Sequence, residues 1–433
     1  MSFRGKLWVM VLSGAISVYA VIGGLPFVGA VLTTQAQQPT NDPGSQLRIV
    51  ESVLQHIQND YVDTPDMDKV RVGALRGLAS GLDPYTSYLT PEQVKEYQSG
   101  GAAKKSGIGA EFSQVAGYVY VIAVTKGGPA EKAGLKAGDV IEYVDTKATR
   151  DISLYDARQA ISGDAGSVVS LRVLRSGEKP QTIKVTRGAV KTPVAESRIE
   201  AGKIGVIKVN SLDSGEANDI REQVASLVKQ GAVKVILDLR GVAGGTIDEG
   251  VAVANIFIRE GEIAKVIGRE GKVTKTFTAD PSKAAFDGEM VVLIDLGTAG
   301  AAEVVAAAVL ERKRGEVIGE RSFGAGTEQQ LFPMSTGAGY LLTVAKWAAP
   351  SGTPFFGEER TAMGVKPSIE VKRPDTPEPL AVEDMLDQQE RQATDPAATP
   401  TPTPKPKAVV TEDIQLKKAI EVLSGKAEPA KAA

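Results

Sequence analysis

The sequence predicts a multidomain α/β protein with an N-terminal helical segment, a small β-rich module and a larger core. Three observations carry this. Between about residues 204 and 320, the apolar strand-length runs IGVIKV, VKVILDL, MVVLIDL and GEVIGE alternate with stretches of helical length. That order builds a sheet with helices on its faces. VKVILDL and MVVLIDL are nearly unbroken apolar runs, as expected of parallel strands covered on both sides. Residues 104–188 hold several short strand-like runs separated by glycine-rich turns and only one helical stretch, SLYDARQAISG. None of the core strands is followed by a G-x-G-x-x-G or P-loop lysine motif, which excludes the common dinucleotide- and nucleotide-phosphate-binding turns.

At the amino terminus, Arg4 and Lys6 precede an apolar run from Leu7 to Leu32, followed by TTQAQQPTND. A basic start, an apolar stretch and small residues near Ala36 form a targeting pattern, and the run is long enough to span a bilayer. Residues 1–36 are therefore expected to be a signal peptide or an N-terminal membrane anchor. The protein is expected to be exported, either to the cell envelope and periplasm or to an anchored extracytoplasmic position. Contact with the membrane would be made through this terminus if it is not cleaved.

Residues 39–47 are polar, carry two prolines and read as a short linker. Residues 44–100 read as a helical region. Leu47, Ile49, Val50, Val53, Leu54 and Ile57 recur at helical spacing. A second helix is expected around 66–80, ending at Gly81, and Asp83-Pro84 favours a turn. Thr90-Pro91-Glu92-Gln93 supplies a cap, a first-turn proline and an acidic residue for a further helix.

The chain has 433 residues, of which 42% are hydrophobic and 24% charged, enough for two or three domains with a real core. A net charge of −3 provides no basic field for nucleic acid. There is no cysteine, which excludes disulfides, thiolate chemistry and cysteine-ligated metal. The single histidine, His56, lies in the first helical stretch, far from every candidate motif. A Ser–His–Asp triad and a histidine-rich metal site are therefore excluded, and His56 is read as an ordinary helix residue. Neither a cofactor nor a metal is expected.

Within residues 104–188, SGIGAEF follows a glycine-rich stretch, YVYVIAV reads as a strand, and GGPAEKAGLKAGDVIEYVDT carries the pattern P-A-x-x-A-G-L-x-x-G-D-x-I. This segment resembles a PDZ domain. Such a module accepts an extended peptide at an open sheet edge and captures its terminal carboxylate in a backbone nest. The resemblance assigns peptide binding to Gly107, Ile108, Gly109 and Ala110 of the loop, whose glycines permit close backbone approach. It adds Tyr155 and Arg158 from the following helix.

The wider chain resembles the C-terminal processing peptidases, or tail-specific serine proteases. The segment GLASGLDPYTSYLTPEQ is similar to the stretch that precedes the PDZ domain in that family. Residues 291–330, VVLIDLGTAGAAEVVAAAVLERKRGEVIGERSFGAGTEQQ, resemble its active-site stretch. There the family has roughly G-S/T-A-S-A-x-E, with the nucleophilic serine, and then G-x-x-S-F-G-K-G-x-x-Q, with a lysine base. In this sequence the serine position is Gly300 and the lysine position is Ala325. Their interval of 25 positions equals the family's, and Glu303 and the retained Gln329 hold the register. Glycine has no hydroxyl to attack a carbonyl, and alanine cannot take its proton. Thus no catalytic dyad is intact.

The turn from Arg240 to Gly245 resembles the family turn that supplies half of the oxyanion hole, the other half being the nucleophile's own N–H. The resemblance gives oxyanion-hole-like roles to Gly244, Gly245 and Gly300, with Val242 and Ala243 where the family has asparagine and proline. Thr298 and Ser322 occupy positions that are structural in the family, and Lys313 and Arg314 are expected to be solvated.

The protease-like α/β core is expected to span residues 189–372. Residues 374–410 include ATDPAATPTPTPKPK and read as an extended Pro/Thr-rich linker. Residues 411–426 form a short helix similar to the family's terminal D-x-Q-L-x-x-A helix. It either packs back on the body, or aids dimerisation, or hangs on its linker.

The expected function is that of an exported PDZ-containing homologue of these peptidases, a pseudo-peptidase that binds polypeptide C-termini without cleaving them. The alternatives are an active serine-type endopeptidase cutting near C-termini and a structural envelope protein. An active peptidase paralogue and a homodimer remain open as partnerships.

Overall fold

The structure is a computed structural model describing residues 43–100, 106–176, 178–373 and 412–425. The expected leader, 1–36, and linker, 374–410, lie outside the described residues. The chain divides into two compact units, Met1–Ala74 and Leu75–Ala433.

Helix α1 (Pro43–Asp60) and helix α2 (Met67–Ser80) follow the predicted apolar spacing. His56 Nδ1 lies 2.6 Å from Asp60 Oδ2, one turn on, and both side chains are exposed. Strand β1 (Ser87–Leu89) and helix α3 (Pro91–Gln98) come next. Thr90 caps α3 as expected: its N–H donates to Gln93 Oε1 at 2.9 Å, closing a capping box. Strand β1 is a correction to the helix–turn–helix reading. Its three buried residues pair antiparallel with Gly339–Leu341, a partner too distant in sequence for local patterning to reveal.

The β-rich module comprises β2 (Ala110–Val115), β3 (Tyr118–Val124), α4 (Pro129–Lys132), β4 (Val140–Val144), β5 (Lys147–Ala148), α5 (Leu154–Ile161), β6 (Val168–Leu174) and β7 (Gln181–Thr186). The sheet runs β2-β3-β4-β6-β7, with β5 beside β4. Phe112, Val121, Ile141, Leu154 and Leu171 fill its own core. A second apolar cluster, with Val115, Tyr120, Ile122 and Leu174, packs on Ala299 and Phe323 of the α/β core. Tyr120 stacks on Phe323 with ring centroids 5.6 Å apart. Strand β3 is thus covered on both faces, which is why YVYVIAV is apolar throughout and does not alternate.

The remaining elements are β8 (Glu196–Glu200), β9 (Ile204–Lys208), α6 (Glu216–Lys229), β10 (Lys234–Asp238), α7 (Ile247–Phe257), β11 (Glu262–Ile267), β12 (Val273–Thr278), β13 (Glu289–Ile294), α8 (Ala301–Glu311), β14 (Glu316–Gly319), β15 (Thr327–Pro333), β16 (Gly339–Ala348), β17 (Ile369–Glu370) and α9 (Ile414–Leu423). A six-stranded sheet runs β17-β14-β13-β10-β9-β8. All its pairings are parallel except β8 with β9. Alternate residues serve opposite faces: Val235, Leu237, Val292 and Ile294 join the cluster with α6, α7 and α8, while Ile236, Val291 and Leu293 face α9. The turns that leave the carboxyl ends of the adjacent parallel strands β10 and β13 lead into α7 and α8.

A second, five-stranded sheet, β1-β16-β11-β12 with β15 on the other side of β16, was not foreseen. Its strands come from three separate stretches of the chain and are held by antiparallel pairing.

Helix α9 packs back on the body. Ala419 and Leu423 are buried against Val206, Ile236 and Leu293. Arg240 donates to both carboxylate oxygens of Asp413 at 2.8 Å each, and Lys234 Nζ donates to Leu423 O at 2.6 Å. Ending the chain after Arg373 would uncover this apolar face. The expected result is a loss of about 3 kcal/mol of unfolding free energy, read by urea denaturation. An unchanged midpoint would show that α9 contributes no net stability.

Candidate functional site

The site is assembled from two turns of the core and one edge of the β-rich module. The turn after β13 runs through Asp295 to Gly300, which caps α8 with φ 63° and ψ −118°. That backbone lies in a region L side chains seldom adopt, the posture expected at a nucleophile elbow. Gly300 has no hydroxyl to present. Its N–H, expected to serve as half of an oxyanion hole, donates instead to Glu303 Oε2 at 2.9 Å. This corrects the role assigned to Gly300. A glutamate at the third helical position folds back on the cap N–H, the usual capping-box bond, and the donor is taken.

Glu303 is fully buried and accepts three further bonds: from Ser322 Oγ at 2.5 Å, Gly324 N–H at 2.7 Å and Ala325 N–H at 2.9 Å. It clasps the turn before α8 to the loop that carries Gly324 and Ala325. Burial pushes its carboxyl up to about 7, against the pull of the Ser322 hydroxyl and the backbone N–H groups. Ser322 Oγ also accepts from Val365 N–H at 2.7 Å, and Thr298 Oγ1 donates to Leu239 O at 3.0 Å. Both hydroxyls are committed to structure, so neither is poised as a substitute nucleophile. Lys313 is exposed, but Arg314 departs from the solvated reading. It is half-buried and donates to the carbonyls of Phe257, Phe286 and Gly288 at 2.7, 3.1 and 2.7 Å. Carbonyls at the end of α7 and just before β13 hold it there.

Gly244 and Gly245 have φ of 89° and 78°, and a Cβ on Gly245 would meet Leu212 O at 2.4 Å. Glycine is required there by contact as well as by conformation. Among the described residues no acceptor takes the N–H of either glycine. Gly241 N–H donates to Asp295 Oδ1 at 2.8 Å, which ties this turn to the one after β13. Val242 is buried in the core, and Ala243 faces the crevice.

Gly244, Gly245, Gly300, Ala325 and Gln329 line one cavity of about 160 Å³, together with Tyr85, Glu111 and Trp347. Gln329 is held by neighbouring side chains. Its Nε2 donates to Thr327 Oγ1 at 2.7 Å and to Thr343 Oγ1 at 3.3 Å, and Thr343 Oγ1 in turn donates to Asp83 Oδ1 at 3.1 Å.

A second cavity, of about 410 Å³, is lined by Gly107, Ile108, Gly109, Ala110, Arg158 and Ile161, and by Asp213 and Gly245 of the core. The two cavities share Glu111, Phe112, Arg158, Ala243 and Gly245, so they adjoin. The structure therefore brings the loop residues and Arg158 together. Tyr155 is elsewhere. Its ring faces Tyr97 of α3 at 6.5 Å and packs beside Leu89 and Val94, because position 155 of α5 points away from β2. Sequence reasoning missed Glu111 and Asp213. The place of Glu111, directly after the glycine loop, was a usable signal, whereas Asp213 is brought in by the tertiary fold alone. Crowding by protein atoms lifts the Glu111 carboxyl above its ordinary range, with Arg158 opposing and Asp213 adding to the rise.

Comparison with known proteins agrees with this architecture. Residues 203–371 match the model for peptidase family S41, and residues 120–175 match a PDZ domain model. The carboxy-terminal processing protease CtpA of Bacillus subtilis (strain 168) is 31% identical over 340 residues, covering 78% of this chain and 72% of that protein. A probable CtpA-like serine protease of Staphylococcus aureus (strain COL) is 31% identical over 374 residues, covering 85% and 73%. The solved structure of a photosystem II D1 C-terminal processing protease superposes with a TM-score of 0.62 at 29% identity, covering 76% of this chain and 93% of that one.

Proposed function

This chain belongs to peptidase family S41, among the CtpA-like carboxy-terminal processing proteases, and from that premise we propose that it is a non-cutting member that holds polypeptide C-termini. One observation carries the reading: two adjoining cavities run from the Gly107–Ala110 loop to the dyad positions, where a glycine and an alanine stand. The retained groove supports binding, and the missing hydroxyl and amine oppose hydrolysis. Nucleophile and base act as a unit, so the loss of both lowers the rate by many orders of magnitude. Lys313 and Arg314 offer no replacement base, the first being exposed and the second bound to carbonyls.

Export is part of the proposal. Its support is the basic start at Arg4 and Lys6 and the apolar run that follows. In the envelope such a protein would act as an adaptor or decoy, or beside an active relative.

Purified protein incubated with an unstructured protein substrate is expected to give no cleavage above buffer, read by gel and mass spectrometry. Cleavage that persists in Gln329→Ala and Ser322→Ala preparations and tracks the protein through purification would overturn the non-cutting reading in favour of an active endopeptidase. Failure to bind any C-terminal peptide would favour a purely structural envelope role.

A further inference from the structure

The edge of β2 in this groove is already occupied by a side chain of the same protein. Among the described residues strand β2 pairs only with β3, so its other edge is the one an incoming peptide strand would join. On that edge Arg158 Nη2, reaching across from α5, donates to Phe112 O at 2.7 Å. The same nitrogen stands 3.7 Å from Glu111 Oε2, both side chains being about half exposed. One guanidinium thus supplies an N–H to the strand edge and a positive charge to Glu111. Asp213 lines the same cavity. At its inner end the Glu111 carboxylate overhangs Gly244: a Cβ built there would lie 3.5 Å from Glu111 Oε1.

Resting on the peptide-holding reading, we propose that Arg158 is an internal placeholder and that the groove selects tails with a basic residue close to the terminus. A tail joining β2 takes Phe112 O with a backbone N–H and displaces Arg158. Glu111 then loses its nearest cation while Asp213 still faces the same cavity. A lysine or arginine of the tail restores the charge balance that Arg158 provided, and a neutral residue leaves two carboxylates without it. The apolar wall formed by Ile108, Phe112 and Ile161 takes the terminal side chain. Glu111 is then the specificity-determining residue and Arg158 the competitor.

The test is fluorescence anisotropy with short labelled Gly/Ser peptides that end in valine with a free carboxylate. Each carries a single lysine, or alanine, at one of the three positions before the terminus. One lysine position is expected to bind the wild type about five-fold more tightly than its alanine counterpart. Glu111→Gln should remove that preference. Arg158→Ala should tighten every tail roughly three-fold by freeing the strand edge. Thermal melting checks that the variants are folded, and Asp213→Asn, expected to halve the preference, stands in if Glu111→Gln is not. Equal affinity for lysine and alanine tails at every position, or weaker binding by Arg158→Ala, overturns the inference while leaving the peptide-holding reading intact. No binding of any tail to either the wild type or Arg158→Ala overturns that reading as well.

Discussion

Gly300→Ser combined with Ala325→Lys is expected to return cleavage of an unstructured substrate, while either change alone leaves the protein inactive. The two groups function only as a pair, so the single variants gain nothing. Much of the surrounding site is in place. The cavity of about 160 Å³ beside Ala325 leaves room for a longer side chain, Gln329 lines it, and Gly244 and Gly245 face it with glycine-specific backbones. A rise of at least about 100-fold over the wild-type background is expected.

The gain has a structural cost. A Cβ at position 300 would stand 3.1 Å from Gly244 O, on a backbone with φ 63°. That places a non-glycine residue in a strained region, for about 1–3 kcal/mol of stability. Glu303 also holds the Gly300 N–H, so oxyanion stabilisation rests on the Gly244–Gly245 turn. A folded double variant with no hydrolysis would mean that this capture, with Val242 and Ala243 in the opposite turn, has dismantled the oxyanion site beyond the loss of the dyad.

The second large effect concerns Glu303. Removing its side chain in Glu303→Ala takes the acceptor from the N–H groups of Gly300, Gly324 and Ala325 and from the hydroxyl of Ser322. A loss of about 4 kcal/mol of unfolding free energy is expected, read from urea denaturation.

Glu303→Gln isolates the charge. In the folded protein burial raises this carboxyl from an ordinary 4.5 to about 7. Between those values the folded state binds a proton that the unfolded chain has released. The contribution of Glu303 to stability is therefore greatest below the lower value, and it falls as pH rises through the window at up to about 1.4 kcal/mol per pH unit. Above about pH 7 it is flat again. The glutamine variant lacks this slope. Wild type and Glu303→Gln should thus differ by an amount that changes between about pH 4.5 and about pH 7. A difference independent of pH would show that Glu303 keeps one protonation state across the range.

Some of this protein was legible in its residues because the physics is local. The helices from Glu216 to Lys229, from Ile247 to Phe257 and from Ala301 to Glu311 follow from apolar spacing, and the parallel strands follow from unbroken apolar runs. The absent dyad was legible because it depends on side-chain identity: a glycine and an alanine lack the needed atoms in any fold. The positions of Glu303 and Gln329 fixed the register around them.

What the sequence concealed depends on partners far apart in the chain. The five-stranded sheet joins Ser87–Leu89 to strands near the end of the core, and antiparallel pairing over such distances leaves no periodic trace. Gly300 looked like half of an oxyanion hole until Glu303 was seen to hold its N–H, a bond set by the geometry of the helix cap. Tyr155 and Arg158, three residues apart on one helix, were read together, yet packing sends one ring to Tyr97 and the other side chain across to β2. The residues alone determined the kind of chain this is and that positions 300 and 325 carry neither a hydroxyl nor an amine, because both rest on which atoms are present. Only the tertiary structure decided what surrounds those positions: a buried carboxylate bridges their two loops, and Arg158 reaches across the neighbouring cavity to the edge of β2, because hydrogen bonds and charges act on distances in space that spacing along the chain does not encode.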